Sequence, residues 1–120
     1  MWDAYNLRMK TIIVVPVTGG VLSGHFGHCE EFYFAEIENG NIEKEYKITP
    51  PEHEPGLYPK WVKEQGGTLV IAGGMGKKAC ALFEENGVEF ITGAVPYEPR
   101  QVVENYLANK LEVTQNSCDH

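Results

Sequence analysis

The side chains best suited to chemistry lie together in Ser23-Gly24-His25-Phe26-Gly27-His28-Cys29, which sets two imidazoles and a thiol within five residues. Imidazole nitrogen and thiolate sulfur suit zinc, copper, iron and iron–sulfur species, and the adjacent glycines let backbone N–H groups come close to an anionic cluster. His25, His28 and Cys29 are therefore candidate metal ligands, with Phe26 and Gly27 beside them in the loop. The same residues also fit a glycine-rich turn whose histidines bond to backbone and whose Cys29 is a small core residue. A second set, Cys118-Asp119-His120, ends the chain with a thiol, a carboxylate and an imidazole in a spacing that matches neither a zinc finger nor a ferredoxin run. Cys118 and His120 are candidate supplementary donors, and His53 is a further histidine in a proline-rich stretch.

Gly74-Met75-Gly76-Lys77-Lys78-Ala79 fits the permissive dinucleotide fingerprint. A dinucleotide site also needs a carboxylate ending the next strand, and that strand here ends Phe90-Ile91-Thr92-Gly93. A Walker A loop is excluded, because Ile71 stands where its first glycine belongs and Lys78 where Ser or Thr should bind magnesium. Gly73, Gly74 and Gly76 are better explained by tight strand-to-helix packing, with the helix N-terminus available to an anion. A small-molecule or nucleotide-binding regulatory module built on Gly73 to Gly76 is the alternative function.

Catalytic patterns are sparse. Glu36, Glu38, Glu43 and Glu45 alternate along a hairpin and are expected on one solvated face. Cys29 and His28 could form a nucleophile pair, but adjacent residues on an extended loop point apart and no third group orients them. No catalytic residue is assigned, and the chain is expected not to be an enzyme.

The elements that position these residues follow from periodicity. Thr11 to Val17 is a continuous β-branched run, the pattern of a central strand covered on both faces, with Pro16 at its end. Phe32–Ile37 and Ile42–Ile48 flank Asn39-Gly40 as a hairpin. A proline-rich loop, a short helix from Leu57 to Gln65, a strand at Thr68–Ala72, a helix at Lys77–Asn86, a strand at Val88–Ile91 and a helix opening at Tyr97-Glu98-Pro99 come next. Alternating strands and helices predict a mixed sheet of about five strands with right-handed crossovers. Residues 1–8 read as an extension, 9–111 as one domain and 112–120 as a polar tail.

The chain has 120 residues, enough for one core, and a formal charge of -7 with 10 Lys and Arg. That balance disfavours nucleic acid, whose phosphates bind chiefly to Lys and Arg. No apolar run is long enough for a membrane span, and Met1 to Lys10 lacks the pattern of a signal peptide, so the cytoplasm is the expected location. Cys29, Cys80 and Cys118 are too few and too oddly numbered for a disulfide framework and read as reduced thiols.

Val14-Val15-Pro16-Val17, Ser23-Gly24-His25-Phe26-Gly27, Glu38-Asn39-Gly40, Val70-Ile71-Ala72-Gly73-Gly74-Met75-Gly76 and Gly87-Val88 come in order along Met9 to Leu111. Together they resemble the dinitrogenase iron–molybdenum cofactor biosynthesis family, which includes NifX-type carriers and the C-terminal part of NifB-type proteins. The resemblance implies a three-layer α/β/α fold of the ribonuclease H-like kind, with strand 2 antiparallel to the rest. It also implies that His25 helps to hold a cofactor or its iron–sulfur precursor, whereas His28 and Cys29 are this sequence's own additions. The expected function is carriage of an iron–sulfur or iron–molybdenum-type cluster, with the cluster or a cluster-assembly protein as partner. Nuclease activity is not implied, since Thr11 to Val17 has no carboxylate for magnesium.

Overall fold

The structure, a computed structural model, describes residues 11–114 except 53 and 55. The expected extension at 1–8 and the candidates His53, Cys118 and His120 lie outside the described residues. The elements run β1 (Thr11–Thr18), β2 (Val21–Leu22), β3 (Glu31–Glu38), β4 (Asn41–Ile48), α1 (Leu57–Glu64), β5 (Leu69–Ile71), α2 (Lys77–Glu85), β6 (Glu89–Ile91) and α3 (Pro99–Leu107).

β1 sits in the middle of the sheet, as its unbroken apolar run predicts, and its Ile13, Val14, Val15 and Val17 are fully buried. The strand order is β4-β3-β1-β5-β6, with β2 folded back onto the end of β1. β1 pairs in parallel with β5, and β5 with β6, while β3 runs antiparallel to both β1 and β4. The sheet thus has six strands, one more than periodicity indicates. The additional strand is the two-residue β2, too short to carry a periodic signal, which turns back through Gly19 and Gly20 at positive φ.

Alternation along the strands divides the core. Val14, Phe32 and Phe34 face α1 and α2, where they meet Tyr58, Val62 and Phe83. Ile13, Val15, Val17 and Tyr33 face α3, where they meet Val102 and Val103. These are the three α/β/α layers that the resemblance implies. Among the described residues no helix is long and apolar enough to cross a membrane.

Asn39 (φ 55) and Gly40 (φ 78) form the tight turn between β3 and β4. Its register corrects the expectation of one glutamate face: Ala35 lies opposite Glu45, and Glu36 opposite Lys44. The two carboxylates therefore stand on opposite faces. Tyr33 Oη donates to Glu45 Oε1 (2.7 Å) on one, and Tyr46 Oη to Glu36 Oε2 (3.3 Å) on the other.

Residues 112–114, which open the expected polar tail, are exposed and held by backbone hydrogen bonds: Val95 N–H donates to the Glu112 carbonyl (3.1 Å), Thr114 N–H donates to that of Gly93 (2.6 Å), and Ala94 bridges Val113. One further expectation changes. Cys29 is free, but Cys80 on α2 is disulfide-bonded, a state that no local cysteine spacing in the sequence announces.

Candidate functional site

Between β2 and β3 the chain makes a single 3-10 turn over Phe26–His28, closed by His28 N–H donating to the His25 carbonyl (3.1 Å). Side chains in a 3-10 turn repeat every three residues, and that period sorts the motif. Phe26 and Cys29 point inward. The Phe26 ring lies 5.4 Å from Phe83 and 5.6 Å from Phe32, which anchors the turn in the core. His25 and His28 are exposed, with ring centres 6.3 Å apart and planes nearly perpendicular.

The His25 backbone is held from two sides. Ser23, 4% exposed, accepts the His25 N–H (3.2 Å) and donates its hydroxyl to the His25 carbonyl (3.0 Å). Phe26 N–H donates to the Gly74 carbonyl (2.9 Å) and Gly74 N–H to that of Gly24 (2.8 Å), a parallel bridge joining the two loops. Their close approach explains the glycines. A β-carbon on Gly73 would stand 2.8 Å from the Ser23 carbonyl oxygen, and one on Gly74 2.6 Å from that of Gly24. The fingerprint-like pair therefore serves loop-on-loop contact, not the strand-to-helix packing expected of it, and the Ser23–Gly24 loop fills the space beside it. Gly93 N–H donates to the Gly73 carbonyl (2.7 Å), so three loops meet at the carboxyl ends of β1, β5 and β6. Open α/β sheets present their ligand sites at that edge.

His25, Phe26, Gly27, His28, Gly74, Met75 and Gly76 line an open depression of about 320 Å³. Gly76 is also the N-cap of α2, whose first turn carries Lys77 and Lys78 and no acidic side chain. The positive end of the helix dipole favours an anion at this rim. A second hollow of about 190 Å³ continues past Phe26, Gly27 and Gly76 to Tyr58, Ala79 and Leu82, with Lys78 and Glu54 at its edge.

The structure brings His25 and His28 together but turns Cys29 away. Burial pushes the Cys29 thiol up to about 12, partly offset by hydrogen bonding to backbone at Cys29 and Val17. Burial thus disfavours its thiolate, and Cys29 lacks the lowered pKa of an activated nucleophile. Among the described residues no three His, Cys, Asp or Glu side chains converge as a metal-ion site. Sequence reasoning missed Ser23 as the buried clasp and Lys78 at the edge of the neighbouring hollow. The three-residue spacing of His25 to His28 and of Phe26 to Cys29 was the available signal for which side chains face out.

Residues 9–109 match the family model described as Dinitrogenase iron-molybdenum cofactor. The chain belongs to this family. Membership gives it a cluster-related role and associates it with cofactor handling. Within reach of this family member are the uncharacterized protein MJ0580 of Methanocaldococcus jannaschii, 29% identical over 113 residues that span 88% of this chain and 94% of that protein. The crystal structure of PH0822 superposes with a TM-score of 0.82 at 25% identity, covering 88% of this chain and 96% of that one. The apo form of the orange protein from Desulfovibrio gigas gives a TM-score of 0.71 at 16% identity, with 88% and 94% coverage, a likeness of fold alone.

Proposed function

We propose that this chain is a non-catalytic carrier that holds a preformed metal–sulfur cluster, of the iron–sulfur or iron–molybdenum kind, as cargo at the His25 depression. The observation that carries the reading is the exposed His25 imidazole on a doubly fastened backbone, opening onto a depression rimmed by the N-terminus of α2. His25 supplies the side-chain donor. Lys77, Lys78 and the first-turn N–H groups of α2 supply the field for an anionic cargo.

A carrier must release what it holds, and few ligands on an open surface suit release better than a closed site of four fixed ligands does. Cys29, buried as a thiol, supports a non-catalytic role, since a cysteine nucleophile needs a lowered pKa. The nucleotide reading loses its loop, because Gly73 and Gly74 are packed against Ser23 and Gly24. The partner in this account is a cluster-assembly protein that loads or unloads the depression. Cys118 and His120 are not needed for it.

Anaerobic purification or reconstitution with iron, sulfide and molybdate, followed by metal and sulfide analysis and a visible spectrum, tests the reading. The wild type is expected to retain metal and absorbance, and His25→Ala to lose both. A colourless wild type that refuses reconstitution would overturn it. Loss in His120→Ala would add a C-terminal donor to the site.

A further inference from the structure

We propose that Cys80 is bridged to Cys118 and that this bridge is a redox-sensitive brace on the loops beside the His25 depression. The brace stands apart from the carriage proposed above, and its test uses no cargo.

The cysteine inventory identifies the pair. The chain has three cysteines, of which Cys29 is free and buried while Cys80 is disulfide-bonded. A bridge within the chain therefore leaves Cys118, outside the described residues, as the partner of Cys80. Both attachment points belong to the loop junction. On one side the Thr114 N–H and hydroxyl donate to the Gly93 carbonyl (2.6 and 3.1 Å), and Gly93 N–H donates to that of Gly73 (2.7 Å). On the other, Cys80 N–H closes the first turn of α2 on the Gly76 carbonyl (3.1 Å). Gly73 and Gly76 are the ends of a glycine loop whose Gly74, Met75 and Gly76 line the depression. Cys118 follows Thr114 by four residues, which reach at most about 14 Å, so the bridge ties the two ends of that loop together through a short strap.

The strap supplies what the described pairing lacks. Residues 112–114 are exposed and hold to Gly93 and Val95 by a few solvent-facing hydrogen bonds, the kind that open first. A dithiol unfastens the brace by thiol–disulfide exchange. Cys80 is 5% exposed, so attack falls on the sulfur of Cys118, two residues from the chain end. The resulting mixed disulfide is resolved by the second thiol of the reagent. The dithiol is thereby oxidised to its own disulfide, and its two electrons and two protons leave Cys80 and Cys118 as thiols.

Peptide mapping, thermal melts and amide exchange of the full chain test the brace, after oxidation with glutathione disulfide and again after reduction with dithiothreitol. The oxidised chain is expected to give a peptide pair joining Cys80 to Cys118. Reduction is expected to lower Tm by about 10 °C, as loss of a bridge across a loop of this length predicts. The Thr114 and Val95 amides are expected to exchange about tenfold faster once the strap is released. Cys118→Ser is expected to match the reduced wild type whether or not the reagent is present. Cys80 joined to Cys29 or to a second copy of the chain, or recovered as a free thiol after oxidation, would overturn the pairing. A bridge whose reduction leaves Tm and both amides unchanged would overturn the brace.

Discussion

His25 combines an exposed imidazole with a backbone bonded on both its N–H and its carbonyl, and the Ser23 hydroxyl makes both of those bonds. Ser23→Ala strands both partners in a part-buried turn and is expected to cost about 1–3 kcal/mol in denaturant unfolding. Gly74→Ala sets a β-carbon against the Gly24 carbonyl and is expected to cost about 1–3 kcal/mol as overpacking while displacing the His25 loop. Cys29 should resist iodoacetamide in the native protein at pH 7.5 and react on unfolding, which mass spectrometry would read directly. Its raised pKa also fixes a sign. The native state disfavours the thiolate, so this stabilisation is complete below the ordinary value of 9.0 and is lost as pH rises towards about 12. Tyr33, raised by burial and then by its bond to Glu45, acts in the same direction. Thermal melts between pH 8 and 11 are expected to fall, and to fall less in Cys29→Ala. A flat profile would contradict that assignment. The motif was visible in the sequence, and so was the tendency of His28 and Cys29 to point apart; which of them faces the core was not, because that depends on the phase of one 3-10 turn anchored by Phe26.

The elements show why some features were legible and others were not. β1 announced itself as a central strand by its unbroken apolar run, and Asn39-Gly40 announced the hairpin, since both residues take the positive φ that its turn demands. Gly40→Ala is expected to cost about 1–2 kcal/mol for an L-residue held in that region. β2 and the 112–114 pairing were illegible because each is defined by hydrogen bonds to distant residues and not by any period of its own. The charged rim belongs to this scale as well. Lys78→Glu reverses a charge on the first turn of α2 and is expected to weaken cargo uptake, more so at low salt, where screening is weaker. Equal uptake by wild type and Lys78→Glu across ionic strengths would remove α2 from the site.

Over the whole molecule, an acidic chain of net charge -7 gathers two lysines and a helix N-terminus beside two exposed imidazoles, on the sheet edge where three loops meet. The three-layer fold supplies rigidity there by burying Phe26 beneath the site and clasping one glycine loop against another. Contact between the His25 imidazole and the cargo distinguishes carriage at this depression from binding elsewhere on the chain. Pulsed electron paramagnetic resonance of the anaerobically loaded chain, poised in a paramagnetic state, measures this as nitrogen hyperfine coupling to the cluster. Imidazole coupling in the wild type that disappears in His25→Ala is the predicted result. A loaded cluster without nitrogen coupling, or with coupling unchanged in His25→Ala, would contradict it.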